Sequence, residues 1–343
     1  MKYPNSISKL VWTCLWESRV GENDMLDNIK DTCYYVVNNS KYVKINYDKL
    51  DEFINEINCK NLKNWLLFNP YNLLELDIEI IINFLLIFES IDYSFWGKPK
   101  WTIDTEEGLK DGSDALLYTM IKYLKETGNT DFSNITFYEF KELLKGNVDI
   151  PLIEERYKTI VNISRVVNEK MNGSFYNYIK DINIDKELFD IIINNFDSFK
   201  DERQYKGKTI YFYKLAQLLT SDILHIREKF ENISVDYSNL TGCADYKIPQ
   251  TLRALGIIEY NNELSKTVDQ GIELEISSEF EVEIRASQMV VIDYISNRLI
   301  DTKPIDINDY LFIYSKKVKN ISKPYHLCRN TNYWYKVQFL KSN

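Results

Sequence analysis

Apolar residues recur at spacings of three and four through most of this 343-residue chain, which is the pattern of amphipathic helices. In residues 50–57, for example, four apolar side chains would lie on one face of a helix that begins near Asp48. Because this spacing dominates, the sequence predicts a mainly α fold, a single large helical domain with a few short strands.

Two further helices have recognisable boundaries. Thr136 followed by Glu139 has the form of a capping box, which predicts a helix that ends by Gly146. Pro151 suits the first turn of a longer helix, because its missing N–H would have no partner there, and residues 172–173 (Asn-Gly) would end it.

Two segments have the composition of extended chain. Residues 209–213 are β-branched and aromatic, which predicts a short strand, and residues 214–230 then regain helical spacing. Residues 280–284 alternate apolar and acidic side chains, which predicts a second extended segment ahead of a helix over 289–300.

Nothing in the chain marks a domain boundary. The sequence has no repeat, no low-complexity tract and no hinge rich in Pro or Gly, so we expect one domain over residues 1–343, with residues 1–30 as a peripheral N-terminal segment. The most apolar run, residues 78–88, is shorter than the ~20 residues that span a bilayer.

The net charge of -9 and the pI near 5.1 argue against binding to polymeric nucleic acid, which requires many Lys and Arg side chains to neutralise phosphates. A single nucleotide needs only a local cluster of donors. The five cysteines form no Cys-x-x-Cys pair, and the N-terminus lacks a signal peptide, so we expect a cytoplasmic chain.

Common catalytic motifs are missing from the sequence, including a Walker loop, a dinucleotide-binding glycine pattern and His-Glu-x-x-His. Only two histidines are present, His225 and His326, so we expect no metal site and no cofactor. Carboxylates must then perform any acid, base or nucleophilic role.

Asp245 precedes Pro249, which can occupy the first turn of a helix that ends at Leu255 and Gly256. A carboxylate at a helix N-terminus is favoured in its ionised form, which suits a group that faces developing positive charge. The alternative, favoured by spacing alone, is that Asp245 only caps the helix.

Other candidate residues have equally simple structural explanations. Asp222 lies two turns beyond Lys214 by helical geometry. It could contact a ligand, but a position on a solvated helix face is the default interpretation. Lys214 could bind a phosphate or be an exposed lysine without a specific role. Residues 95–101 combine two tryptophans with two lysines, which suits either base stacking beside an anion or core packing beside a basic loop.

Six segments occur in the order expected for queuosine salvage proteins, and together they cover most of the chain. They are Phe95-Trp96 with Lys98-Pro99-Lys100-Trp101, Pro151-Leu152-Ile153-Glu154-Glu155-Arg156, Gly173-Ser174-Phe175, Phe212-Tyr213-Lys214 with Ala216-Gln217, Ala244-Asp245-Tyr246-Lys247 with Pro249-Gln250, and Glu283-Ile284-Arg285. The chain therefore resembles this family. Two positions depart from its expected pattern, since Lys247 and Leu215 stand where arginine is expected.

The resemblance implies a metal-independent enzyme that cuts the N-glycosidic bond of queuosine 5'-phosphate and frees queuine for insertion into transfer RNA. We expect this enzyme to be a monomer. It also implies a fold related to helix-hairpin-helix DNA glycosylases. The catalytic aspartate falls on Asp245, which could act as nucleophile, electrostatic stabiliser or water activator. Substrate contacts are implied for Phe95, Trp96, Phe175, Lys214, Asp222, Tyr246, Lys247, Gln250 and Arg285.

Two other functions remain open at this point. One is a glycosylase that acts on a modified base in nucleic acid, against which the net charge argues. The other is a carrier that binds queuine or its nucleotide without turnover. Loss of product release in Asp245→Asn, with the fold retained, would distinguish the enzyme from the carrier.

Overall fold

A computed structural model describes residues 25–57, 64–317 and 322–329, and it is mainly helical. The α-helices are α1 (Met25–Asn38), α2 (Tyr47–Ile54), α3 (Ile78–Ser90), α4 (Gly112–Thr127), α5 (Phe137–Leu143), α6 (Ile153–Lys170), α7 (Phe175–Ile179), α8 (Ile184–Asn195), α9 (Lys214–Glu231), α10 (Lys247–Ala254), α11 (Asn262–Asp269), α12 (Glu279–Ser296) and α13 (Pro304–Lys317). Short 3-10 helices cover Trp65–Phe68, Pro70–Glu75 and Asp197–Phe199.

The strands are β1 (Val43–Ile45), β2 (Thr102–Thr105), β3 (Gly108–Asp111), β4 (Glu202–Tyr205), β5 (Lys208–Tyr211) and β6 (Ile258–Tyr260). They pair into three separate antiparallel ribbons, β1 with β6, β2 with β3 and β4 with β5. The turn between β4 and β5 has two residues, Lys206 and Gly207, both with positive φ, which is the geometry of a tight hairpin.

Two helices form the centre of the molecule. Helix α3 contains the most apolar run of the sequence and packs against α6, α7 and α9. Helix α12 is buried along almost its whole length, between α1 on one side and α13 on another. A helix that is covered all round shows little hydrophobic periodicity, which explains why neither boundary of α12 was evident in the sequence.

The structure confirms the predicted mainly helical fold and most of its predicted elements. Helices over Tyr47–Ile54, Phe137–Leu143, Ile153–Lys170 and Lys214–Glu231 match the expected ones, and Thr136 and Glu139 form the capping box. The strand β5 lies within two residues of its predicted start and end.

The predicted extended segment at residues 280–284 is wrong, because these residues form the first turns of α12. Ser278 caps this helix by accepting a hydrogen bond from the Glu281 N–H at 3.3 Å. The acidic residues that suggested alternation toward solvent are in fact buried and paired: Glu281 with Arg285, and Glu283 with Ser40 and the backbone near it.

Within the described ranges, no helix is both long and apolar enough to cross a membrane. The three cysteines that the structure describes, Cys33, Cys243 and Cys328, are buried thiols without a disulfide. The peripheral segment predicted for residues 1–30 lies mostly outside the described residues, but from Met25 the chain forms α1, which packs against α12.

Candidate functional site

A cleft with two adjoining lobes lies between α4, α9, α10 and α13. The outer lobe has a volume of about 600 Å³ and the inner lobe about 230 Å³. Asp92, Lys214 and Asp245 are among the residues that line both lobes, and they mark the junction of the two. A concave site with a few converging charged groups is the usual form of a small-molecule site.

The loop that carries Asp245 is held in place by side chains of α12. The Asp245 N–H donates to Gln288 Oε1 at 3.1 Å, and Gln288 Nε2 donates to the Cys243 carbonyl at 2.6 Å. Arg285 Nε donates to the Ala244 carbonyl at 3.1 Å. Three consecutive residues of the loop are thus fixed by one helix, which positions the Asp245 carboxylate at the lobe junction.

Asp245 also lies at the N-terminus of α10, as the sequence predicted. Its Oδ1 accepts a hydrogen bond from the Lys247 N–H at 2.5 Å, and the Ile248 N–H donates to the same carboxylate. Burial nevertheless raises the pKa of Asp245 above its ordinary value, while the charge of Lys214 and these two N–H groups oppose the rise. The two interpretations of Asp245, as a cap and as a cleft carboxylate, are therefore compatible.

Lys214 is a buried lysine and not the exposed side chain of the simpler interpretation. It begins α9 directly after Tyr213, whose φ of 47° turns the chain out of the β4–β5 ribbon. Its Nζ donates to the Asp92 carbonyl at 2.9 Å and lies 3.8 Å from Asp92 Oδ2. Asp92 lines both lobes, so a second carboxylate lies at the junction, and its Oδ1 is buried without a hydrogen-bond partner in the described part of the chain.

Aromatic side chains and lysines line the outer lobe. Phe95, Trp96, Tyr246 and Tyr325 all contribute to its wall, and the rings of the two tyrosines lie 5.0 Å apart. Lys247 Nζ lies 5.0 Å from the centre of the Tyr325 ring. Each of the two interpretations of residues 95–101 holds for one tryptophan. Trp96 lines the cleft, whereas Trp101 packs in the core.

Lys100 also lines the outer lobe, and Lys316 lines both lobes. Burial is the main cause that lowers the pKa of Lys247, and the charges of Lys100 and Lys316 lower it further. Three lysines from different parts of the chain therefore line the cleft of an otherwise acidic protein, two in the outer lobe and one shared with the inner lobe. Such a cluster is the local donor set that an anion requires.

Arg285 lines the outer lobe, but its guanidinium is engaged within the protein. It forms ion pairs with the buried carboxylates of Asp201 and Glu281 and lies 4.1 Å from the centre of the Phe212 ring. The structure thus gives Arg285 a supporting contact to the Asp245 loop, through the Ala244 carbonyl, where the sequence suggested a substrate contact.

Three other predicted contact residues are not among those that line the cleft. Phe175 packs against Phe196, with ring centres 5.7 Å apart, and Gln250 Nε2 donates to the Lys323 carbonyl at 2.8 Å. Asp222 is fully buried, so the interpretation as a solvated helix face is wrong. A helical period cannot show that helices cover both faces of α9.

A family model described as Queuosine salvage protein matches residues 74–335. This chain belongs to that family. Proteins named "Queuosine 5'-phosphate N-glycosylase/hydrolase" are similar to it in Sphaerobacter thermophilus (32% identity, 61% of this chain and 67% of that protein), Bos taurus (30%, 65% and 69%) and Dictyostelium discoideum (29%, 77% and 84%).

In this queuosine salvage protein, sequence reasoning missed several cleft residues. They are Asp92, Phe312, Lys316, Tyr325 and Asp309. His326 also lines the outer lobe, buried and with Nδ1 unpartnered in the described residues, and burial lowers its pKa to about 3, so its ring is neutral at pH 7. The described residues contain no group of His, Cys, Asp and Glu side chains arranged to bind a metal ion.

Proposed function

We propose that this chain hydrolyses the N-glycosidic bond of queuosine 5'-phosphate and releases queuine and ribose 5-phosphate. The observation that carries the proposal is the position of Asp245, a fixed carboxylate at the junction of a lysine-lined outer lobe and a largely apolar inner lobe. The names of the curated relatives support the same reaction.

The reaction requires a negative charge beside the sugar. As the bond between C1' and the base nitrogen breaks, positive charge develops on the ribose, and an ionised Asp245 would stabilise it. Water supplies a hydroxyl group to C1' and a proton to the departing base. Asp92 is a second carboxylate at the junction and would orient this water or a ribose hydroxyl.

The base of this substrate is a difficult leaving group. Queuine is a 7-deazaguanine, so it lacks the nitrogen in the five-membered ring that other purine hydrolases protonate. Help for its departure must come from hydrogen bonds to the pyrimidine edge. In our assignment the base enters the inner lobe, where the rings of Trp65, Phe88 and Phe312 offer stacking surfaces.

The phosphate would then lie in the outer lobe. Lys247 is the natural centre of its site because Lys100 and Lys316 add positive charge beside it. Lys214, which the sequence also suggested for this role, is bound to Asp92 and lies at the junction. This arrangement predicts that the nucleotide is a better substrate than the nucleoside.

The decisive experiment is incubation of the purified chain with queuosine 5'-phosphate, queuosine or guanosine monophosphate, followed by chromatography with mass detection. We expect queuine, mainly from the nucleotide, and no guanine. Binding of the nucleotide without release of any base would refute the hydrolase and establish the carrier. We also expect a cytoplasmic monomer, which cell fractionation and size-exclusion chromatography with light scattering would test.

A further inference from the structure

The inner lobe combines an apolar wall with one buried carboxylate of α13. Its apolar lining consists mainly of Trp65, Phe88, Leu117, Leu218 and Phe312. Asp309 lines the same lobe and is 7% exposed. Burial of a carboxylate in such surroundings is costly unless a cation or hydrogen bonds compensate for the lost hydration.

Neutral amides are the hydrogen-bond partners of Asp309. Asn308 Nδ2 donates to its Oδ1 at 3.3 Å, and Asn64 Nδ2 donates to its Oδ2 at 3.2 Å. Among the described residues, no Lys, Arg or His nitrogen lies within ion-pair distance of its carboxylate. Asp201, the comparable buried aspartate, has both Arg203 and Arg285 as partners.

The groups behind Asp309 increase the local negative charge. Asn64 Nδ2 also donates to Asp222 Oδ1 at 3.0 Å, and burial together with the charge of Asp222 raises the pKa of the neighbouring buried carboxyl of Glu89 well above its ordinary value. Burial and the charge of Asp222 raise the pKa of Asp309 well above its ordinary value. A cation that entered the lobe would relieve this electrostatic cost.

We propose that Asp309 is the residue that recognises the cationic amine on the side arm of the substrate base. The assignment rests on the proposed function, because that function supplies a base with a secondary ammonium group. The apolar wall would hold the carbon ring of the arm, and Asp309 would accept a charge-assisted hydrogen bond from the amine. Asp309 would thus make the site selective for 7-deazaguanines with a cationic arm.

Asp222, to which the sequence assigned this contact, is less suitable. Its Oδ1 accepts from Asn64, its Oδ2 accepts from the Trp65 Nε1–H at 2.7 Å, and it does not line the lobe. Its role in this arrangement is to hold Asn64 and Trp65 in position. Asp309 is the member of the acidic group that the substrate can reach.

The test compares the dissociation constants of queuine and of 7-deazaguanine, which has no arm, for the full chain by titration calorimetry. Asp309→Asn should weaken queuine binding about tenfold to a hundredfold, the range for a hydrogen bond to a charged group, and leave 7-deazaguanine unchanged. Asp306→Asn is the matched control, since it removes the same charge from α13 at a position outside the cleft lining.

Equal losses for both bases in Asp309→Asn would overturn the assignment. If that variant fails to fold, the wild-type protein is tested instead with queuine that is acetylated on its amine. It should bind this neutral ligand at least tenfold more weakly than queuine. Equal affinities for the two ligands would refute the proposal. Selective queuine binding without hydrolysis would instead refute only the proposed reaction and leave the Asp309 contact intact.

Discussion

Replacing Asp245 by asparagine removes its charge and little else. Asparagine has the same shape and retains an oxygen that can accept the Lys247 N–H, so the start of α10 and the loop held by Gln288 should be preserved. Burial raises the pKa of Asp245, which means that its ionised form is costly in the folded protein. The variant should therefore be at least as stable as the wild type.

The expected loss of rate follows from simple electrostatics. Two unit charges about 4 Å apart attract each other by about 4 kcal/mol at an effective dielectric constant of about 20. Since 1.36 kcal/mol corresponds to a tenfold change in rate, Asp245→Asn should lower kcat about a thousandfold. The effect should fall on kcat and leave KM nearly unchanged, because the positive charge on the ribose develops only in the transition state.

The assay is the rate of queuine release at saturating queuosine 5'-phosphate, with circular dichroism and thermal unfolding as checks of the fold. Asp104→Asn is a suitable control, since Asp104 lies exposed on β2 and outside the cleft lining. A folded Asp245→Asn protein that retains more than a tenth of the wild-type kcat would refute the electrostatic role. A change in KM alone would indicate a binding group.

Three other predictions concern neighbouring charges. Because burial raises the pKa of Asp245, kcat/KM should fall on the acidic side at a higher pH than an ordinary aspartate would give. The charge of Lys214 favours ionised Asp245, so Lys214→Met should move that fall to still higher pH. A pH profile that does not move in this variant would contradict the prediction. Lys247→Met should raise KM about tenfold for the nucleotide and leave the nucleoside unaffected, as steady-state kinetics would show; equal effects would exclude a phosphate contact. Arg285→Met should lower the free energy of unfolding in urea by about 3–5 kcal/mol, because it leaves Asp201 buried without one partner; a loss below about 1 kcal/mol would contradict the structural role.

Local sequence signals predicted the helices that show a clear apolar period or a clear cap. Ile153–Lys170 and Lys214–Glu231 show the helical period, although most of Lys214–Glu231 is buried, and Thr136 and Glu139 mark the start of their helix through the capping box. The first turns of α12 were mistaken for extended chain because their acidic side chains point into the protein. A prediction from the local sequence pattern treats charged side chains as solvent-exposed. The buried ion pair between Glu281 and Arg285 is an exception to this rule.

Less of the candidate site than of the fold could be predicted from the sequence. Asp245 could be singled out from its place before a helix and from the family resemblance. Asp92 and Asp309 could not, because the tertiary fold alone brings the end of α3 and the middle of α13 to the same cleft. Among the described residues, one buried oxygen of Asp92 has no hydrogen-bond partner and Asp309 has no cation within ion-pair distance, and no spacing along the chain records either property.

The division of charge within the cleft also explains how an acidic chain could take an anionic substrate. A net charge of -9 opposes phosphate only as a distant, screened background, whereas lysines within one lobe act at contact distance. Lys247 and Lys100 in the outer lobe, with Lys316 at the boundary of the two lobes, offer that local field, while Asp309 and Asp245 offer the opposite sign at the inner lobe and junction. A nucleotide with a phosphate at one end and an ammonium at the other would then bind with its phosphate near Lys247, its ammonium near Asp309 and its glycosidic bond beside Asp245.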